Sequence, residues 1–251
     1  MSERGVAVVT GASSGIGAAT ARALAKEGFD LVIGARRLDR LQEVAASIGA
    51  TAHQLDVTDA DSVAAFADRV PHARVLVNNA GGAVGREPIA EADFDAWRGM
   101  WESNVLSTAM VTKAFLPKLE RSGDGHVVVV GSIAGFEPYL EGAGYTSAKH
   151  AERAFTKTLR LELLGKPIRV TEINPGLVET EFSLVRFGGD AERARAVYEG
   201  LTPLTAEDVA DAIAWAVTRP SHVDVDEIVM RPRDQATATE MYRRPLPEQK
   251  G

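Results

Sequence analysis

The chain has 251 residues, 45% hydrophobic and 25% charged, a composition that fits a globular protein and a length that suits one large α/β unit. It contains no cysteine, which excludes disulfides, thiolate catalysis and cysteine-based metal sites, suits a reducing cytoplasm and leaves no metal to be expected. A formal net charge of −7 argues against nucleic acid or an anionic membrane as the main partner, and no apolar run has the length of a membrane span or the pattern of a secretory leader.

Short apolar runs alternate with amphipathic segments along the whole chain. In order, "VAVVT", "LVIGA", "AHQLDV", "VLVNN", "HVVVVGS", "IRVTEIN" and "DEIVM" read as strands, most of them too continuously apolar for a sheet with a wet face. Between them the spacing predicts helices over 15–27, 38–48, 60–69, 94–119, 145–164 and 206–217. Strand and helix in alternation predict a parallel sheet covered on both faces. With no repeat or linker, a single domain is expected over 1–251. Two regions break the rhythm: residues 176–205, long enough for an active-site lid, and a polar tail from about residue 234.

The first strand runs into "TGASSGIG" and then a helix. Glycines 11, 15 and 17 allow a tight turn, close approach to a pyrophosphate and packing of the helix on the sheet, while the helix N-terminus offers N–H groups to phosphate. The G-x-x-x-G-x-G spacing is longer than the usual dinucleotide fingerprint and lacks the lysine of a triphosphatase loop. The second strand ends in "GARR". An acid there would hold a ribose 2′-hydroxyl; Arg36 and Arg37 instead suit a 2′-phosphate, favouring NADP over NAD. Asp56 and Asn79 stand near the ends of the third and fourth strands, where such sheets meet the ligand, so the carboxylate could meet an adenine and the "NNAG" turn a ribose.

"GYTSAKH" sets Tyr145 and Lys149 four positions apart, which on a helix stacks an ammonium beside a phenol and lowers the phenol's pKa. Such a pair arises by chance at roughly 0.1 per chain of this composition, and with Ser132 thirteen places upstream the triple falls to roughly 0.005. Coincidence is therefore not a serious rival.

"TGASSGIG", "NNAG", "SNV", "VVVVGSIAG", Tyr145-x-x-x-Lys149 and "NPGLVET" together resemble the short-chain dehydrogenase/reductase family, over residues 4 to about 232. The resemblance implies a doubly wound Rossmann fold of about seven parallel strands in the order 3-2-1-4-5-6-7. It implies that Tyr145 gives or takes the substrate proton as hydride moves, and that Lys149 lowers the phenol's pKa and binds the nicotinamide ribose. Ser132 would hold the substrate oxygen, and Asn104 would support a water relaying protons to Lys149. The implied cofactor contacts are Gly11, Ser13, Ser14, Gly15, Ile16 and Gly17 in the first loop; Arg36 and Arg37; Asp56 and Val57; Asn79, Ala80 and Gly81; Tyr145 and Lys149; and Pro175, Gly176, Val178 and Thr180. It also implies a homotetramer paired through helices 94–119 and 145–164, with Ala151, Phe155 and Leu159 on the paired faces.

"GARRLDRL", "EINPGLVETEFSLVRFGGD", "TPLTAEDVADAIAWAV" and "VDVDEIVMRPRDQ" resemble the family's branch of NADP-dependent 3-hydroxy acid dehydrogenases, which implies substrates such as serine, L-allo-threonine or 3-hydroxyisobutyrate. A carboxylate needs a cation, and Arg186 in the long loop is the leading candidate, with Arg86 after "NNAG" the other; Tyr139 and Glu141 border the catalytic helix without an assigned role. A broad carbonyl reductase, a 3-oxoacyl-carrier-protein reductase and a non-catalytic NADP-binding regulator are the alternatives. The acidic chain offers little to an acidic carrier, and the intact tyrosine and lysine weigh against a non-catalytic role.

Overall fold

The computed structural model describes residues 4–245, so the end of the polar tail, 246–251, lies outside the described residues. Seven strands, β1 Val6–Thr10, β2 Asp30–Ala35, β3 Thr51–Gln54, β4 Val75–Asn78, β5 Gly125–Val130, β6 Ile168–Pro175 and β7 Glu227–Met230, form one sheet. Its order is β3-β2-β1-β4-β5-β6-β7 with every neighbouring pair parallel, the order expected. Strands β4, β5 and β6 are buried along their whole length, which is why their runs carry no polar alternation.

Successive side chains on a strand face opposite sides of the sheet. Ala7 and Val9 of β1 therefore join one core with α1 Gly15–Lys26, α2 Leu38–Ile48 and α9 Ala206–Val217, through residues such as Leu24, Leu41 and Ile213. Val8 joins the other core with α3 Ala60–Asp68, α5 Ser107–Arg121 and α6 Ala143–Glu162, through Phe66, Phe115 and Leu159. The chain winds outward from β1 to β3 and returns to β4 on β1's other side. The resulting crevice beyond the ends of β1 and β4 is where such sheets bind ligands.

The helix expected over 94–119 is interrupted. Helix α4 spans Phe94–Trp101, a π-helical turn follows over Glu102–Leu106, and α5 begins at Ser107. Asn104 Nδ2 donates to the Met100 carbonyl at 2.7 Å, a group that an unbroken α-helix would pair with the Asn104 backbone N–H. Within 176–205 lie two short helices, α7 Phe182–Arg186 and α8 Ala191–Ala196. Of the residues expected on the paired faces, Leu159 is buried in this core, Phe155 packs partly buried against it and Ala151 is half-buried. The exposed large apolar residues of these two segments, among the described residues, are Phe94, Trp101, Leu106, Leu161 and Leu164.

Candidate active site

A cavity of about 1220 Å³ opens at the crevice. Beyond Thr10 the chain turns through Gly11 and Gly15, whose φ values of 66° and 53° favour glycine. A Cβ on Gly11 would also lie 2.8 Å from Asn79 Nδ2 and 2.9 Å from the Ala80 Cα. Ser14, at the N-cap of α1, makes no capping bond with its side chain. The first N–H groups of the helix thus face the cavity mouth with the partial positive charge of the helix end.

Of the expected cofactor residues, Gly11, Ser13, Ser14, Gly15, Ile16, Arg36, Arg37, Asp56, Val57, Asn79, Ala80, Gly81, Tyr145, Lys149, Pro175, Gly176, Val178 and Thr180 line this cavity. Gly17 does not. A Cβ there would stand 2.5 Å from the Gly11 carbonyl oxygen and from Asn79 Nδ2, so its task is to let α1 pack against the loop. The Asn79 amide is likewise engaged inside the protein, donating to the carbonyls of Thr10 at 2.9 Å and Gly11 at 3.3 Å, while Thr10 Oγ1 accepts from the N–H groups of Asn79 and Ala80. These bonds stitch the glycine loop to the "NNAG" turn. Asp56 accepts from the Thr58 hydroxyl and N–H, bonds that hold its carboxyl below the usual value.

Arg37 donates to Ser14 Oγ at 2.6 Å, to Ser13 Oγ and to Glu181 Oε2 at 2.9 Å; Arg40 donates to Glu181 Oε1 at 2.6 Å. The two guanidinium groups push the Glu181 carboxyl down to about 2. A carboxylate of the long loop thus occupies the guanidinium edge that an oxyanion would take.

Ser132, Tyr145 and Lys149 meet at the opposite end. Ser132 follows β5 with its N–H held by Asn174 Oδ1 at 2.9 Å, and its Oγ accepts from the Ala134 N–H at 3.1 Å. Tyr145 and Lys149 sit on α6, both buried. Burial pushes the Tyr145 phenol above its usual value; Lys149 pulls it down, Tyr139 and Glu152 push it up, and a hydrogen bond with Ser132 pulls it down. The lysine acts in the expected direction, but desolvation outweighs it, because a buried phenolate loses its water. Burial also opposes the Lys149 charge, yet Glu152 beside it holds the ammonium above its usual value.

Asn104 lines the same cavity as Lys149, and its side chain is bonded to neighbouring backbone. Besides Met100, its Nδ2 donates to the Gly82 carbonyl at 2.9 Å, and its Oδ1 accepts from the Gly82 N–H at 3.3 Å. Both amide hydrogens therefore have protein partners. The side chain pins the turn after "NNAG".

Arg186 of α7 lies at the catalytic end, its Cζ 5.7 Å from the Tyr145 ring centre and 5.5 Å from that of Tyr139. Its Nε donates to the Gly85 carbonyl at 3.0 Å and one terminal nitrogen to Tyr139 Oη at 3.0 Å. Arg86 also lies near Tyr139, 5.6 Å from the ring centre, and faces Glu141 at 3.5 Å. Glu141 has a φ of 61°, the only non-glycine positive φ among the described residues. Sequence reasoning missed Glu181, Phe182, Tyr198 and Gln235 on the cavity wall and Glu152 behind it. Only Glu152 carried a readable signal, standing one helical turn beyond Lys149. Among the described residues no acidic or histidine cluster could hold a metal, and no helix is long and apolar enough to cross a membrane.

Residues 5–186 match the family described as short chain dehydrogenase. The chain is 59% identical over 241 residues to an uncharacterized oxidoreductase of Mycobacterium tuberculosis, covering 96% of each. It is 39% identical over 246 residues to the serine 3-dehydrogenase of Agrobacterium fabrum, covering 95% of this chain and 98% of that one. Among solved structures, the closed form of a serine dehydrogenase complexed with NADP+ superimposes with a TM-score of 0.90 at 36% identity, over 96% of this chain and all of the other.

Proposed function

The chain belongs to the short-chain dehydrogenase/reductase family, as an NADP-dependent oxidoreductase acting on CH–OH groups, and from that premise we propose that its substrate is a small 3-hydroxy acid such as serine, L-allo-threonine or 3-hydroxyisobutyrate. The observation that carries the proposal is Arg186, a guanidinium at the catalytic end of the cavity, 5.7 Å from the Tyr145 ring. Two of its five donors are engaged by Gly85 and Tyr139, which fix its plane. A carboxylate or other small anion brought there would gain a preorganised, charge-assisted partner beside the reacting carbon. Other arginines on the wall are less suited: Arg86 faces Glu141, and Arg243 donates to the carbonyls of Val197 and Glu199.

The residues fit NADP. Gly11 brings backbone close where any side chain would collide, α1 presents its N-terminus, and Arg37, held by Ser14, offers a guanidinium that now pairs with the Glu181 carboxylate. When bound, NADP supplies or accepts the hydride. In the proposed reaction Ser132 Oγ holds the substrate oxygen. The Tyr145 hydroxyl gives a proton to that oxygen in reduction and takes one from it in oxidation, and Lys149 stabilises the phenolate that results. A raised phenol value favours Tyr145 as donor near neutral pH and places proton uptake, and hence alcohol oxidation, toward alkaline pH.

The test is a panel of hydroxy acids, uncharged alcohols and ketones followed by NADPH absorbance in both directions, run on the wild type and Arg186→Ala. A loss of at least tenfold in kcat/KM for acids relative to uncharged alcohols supports the clamp, being about one charged hydrogen bond. Good turnover of bulky ketones without any activity on short hydroxy acids would move the assignment to a broad carbonyl reductase. A homotetramer in the cytoplasm is part of the same proposal, supported by exposed Trp101 and Leu106 and by the cysteine-free composition; light scattering giving only monomer would remove the tetramer.

A further inference from the structure

Lys149 does not stand alone beside Tyr145. Glu152, one turn further along α6 and only 2% exposed, places Oε2 2.6 Å from Lys149 Nζ. Its Oε1 accepts from Thr108 Oγ1 of α5 at 3.1 Å, so the carboxylate is fixed from two helices. The Val130 carbonyl takes another Lys149 proton at 3.1 Å. An ammonium has three donors, so the protein consumes two and one remains for the cavity that Lys149 lines. Glu152 does not line that cavity, so whatever it contributes passes through Lys149.

We propose that Glu152 is a positioning residue for the acid/base pair: it fixes the Lys149 ammonium beside Tyr145 and, through its own charge, sets how much of that ammonium's pull reaches the phenol. The proposal rests on the reading of Tyr145 as the acid/base group. Breaking a buried ion pair is costly, so the carboxylate keeps the lysine charged and still. It also opposes the lysine's effect on the phenol. Glu152 lies seven residues, about 10.5 Å of helix, from Tyr145; at an effective dielectric near 20, a unit charge at that range moves a pKa by about one unit.

The other groups facing the pair do not duplicate this role. Around Tyr145 stand Tyr139, Ser132 and Arg186. Around Glu152 and Lys149 stand Thr108 and, from β6, Glu172, whose carboxyl is pushed up by burial and pulled down by Arg153. Arg153 itself bonds Glu227 on β7. Glu152 is the carboxylate in hydrogen-bond contact with the catalytic lysine. The consequence is a phenol that keeps its proton at neutral pH, ready to donate in carbonyl reduction.

The test is an ultraviolet difference titration of tyrosinate, wild type minus Tyr145→Phe, which isolates Tyr145 without needing turnover. In a Glu152→Gln background the Tyr145 midpoint should fall by about one unit, and in Glu152→Asp it should stay near the wild-type value because the charge remains. The pH profile of kcat/KM for alcohol oxidation should move in parallel. A midpoint that is unmoved or raised in Glu152→Gln overturns the proposal. Should Glu152→Gln fail to fold, Thr108→Val removes the bond that helps hold the carboxylate ionised. It should shift the midpoint the same way by a smaller step, and no shift there overturns the proposal equally. Normal turnover by Tyr145→Phe would instead overturn the acid/base reading, while the titration still reports what Glu152 does to the phenol.

Discussion

Arg37→Ala is the sharpest test of how the protein selects its cofactor. The guanidinium is anchored by Ser13 and Ser14 at the phosphate corner, and its side chain is 45% exposed. A hydrogen bond to a charged group contributes about 1.5–3 kcal/mol, and solvent screening at this exposure argues for the lower end. That corresponds to about a tenfold weaker Kd for NADPH with NADH little changed, and a deeper loss when Arg36 is removed too. Glu181→Gln should act in the opposite sense, because it removes a carboxylate that competes for the same guanidinium. Exposed ion pairs contribute about 0.2–1 kcal/mol, so NADPH should bind up to about fivefold tighter. The sign with pH is fixed by the carboxyl's depressed value of about 2. Its stabilising contact is fully present above the unfolded value near 4.5 and is lost as pH falls through about 2. The Glu181→Gln effect should therefore be flat across neutral pH. Calorimetric titration with NADPH and NADH reads both changes. Equal losses for the two cofactors in Arg37→Ala, or weaker NADPH binding in Glu181→Gln, would refute the reasoning.

Tyr145→Phe should keep NADPH binding and thermal stability while turnover falls by several orders of magnitude; stopped assays with purified variant measure it, and near-normal turnover would refute the assignment. Asn104→Ala strands the Gly82 and Met100 backbone groups, at a cost of about 2–3 kcal/mol, so its Tm should drop by about 5–10 °C in calorimetry. His126, fully buried and bonded to Thr171, is pushed down to about 3 by burial, then by Arg169 and Arg74. Its contribution is therefore whole above pH 6.5 and lost as pH falls toward about 3, at about 1.4 kcal/mol per unit, and His126→Gln should flatten the urea-measured decline between pH 6.5 and 5. Finally, Glu181 and Arg186 lie at the start and end of one short helical segment, so Glu181→Gln and Arg186→Ala should couple in NADPH affinity measured with a bound hydroxy acid; additivity within about 0.5 kcal/mol would show the two ends to be independent.

The sheet was legible because its inner strands have no choice of composition. Val75, Leu76 and Val77 are buried on both faces, so an apolar run is both the signal and the cause of its placement. Helix ends were readable where a local rule decides them, as at Gly49 after α2, which has a φ of 67°, and at the Thr205–Asp208 capping box of α9. The π turn was not, since nothing in periodicity reports that the Asn104 amide takes the Met100 carbonyl from the helix ladder. The same limit explains Gly17 and Asn79. Their residue types announced a nucleotide loop, but whether each faces the ligand or braces the loop is decided by tertiary contacts, such as those of Asn79 with Thr10, Gly11 and Gly17.

The substrate side resisted sequence reading for a further reason: a five-residue helix assembles it from distant parts. Thr180 packs beside Gly15, Glu181 reaches Arg37 and Arg40, Phe182 lies 5.7 Å from the Tyr145 ring, and Arg186 exchanges backbone and side-chain bonds with Gly85. One segment of seven residues thus reaches the phosphate corner, the proposed acid/base tyrosine and the proposed anion clamp. Period and propensity assign such a stretch no role, because its short helices fall below the length at which a periodic pattern becomes distinctive. Its placement still constrains function. Freeing Arg37 for a phosphate requires Glu181 to release it, and Glu181 is the N-cap of the helix that carries Phe182 and Arg186. The double variant therefore reads whether cofactor and substrate ends are coupled through α7, and by linkage any such effect on affinity is reciprocal.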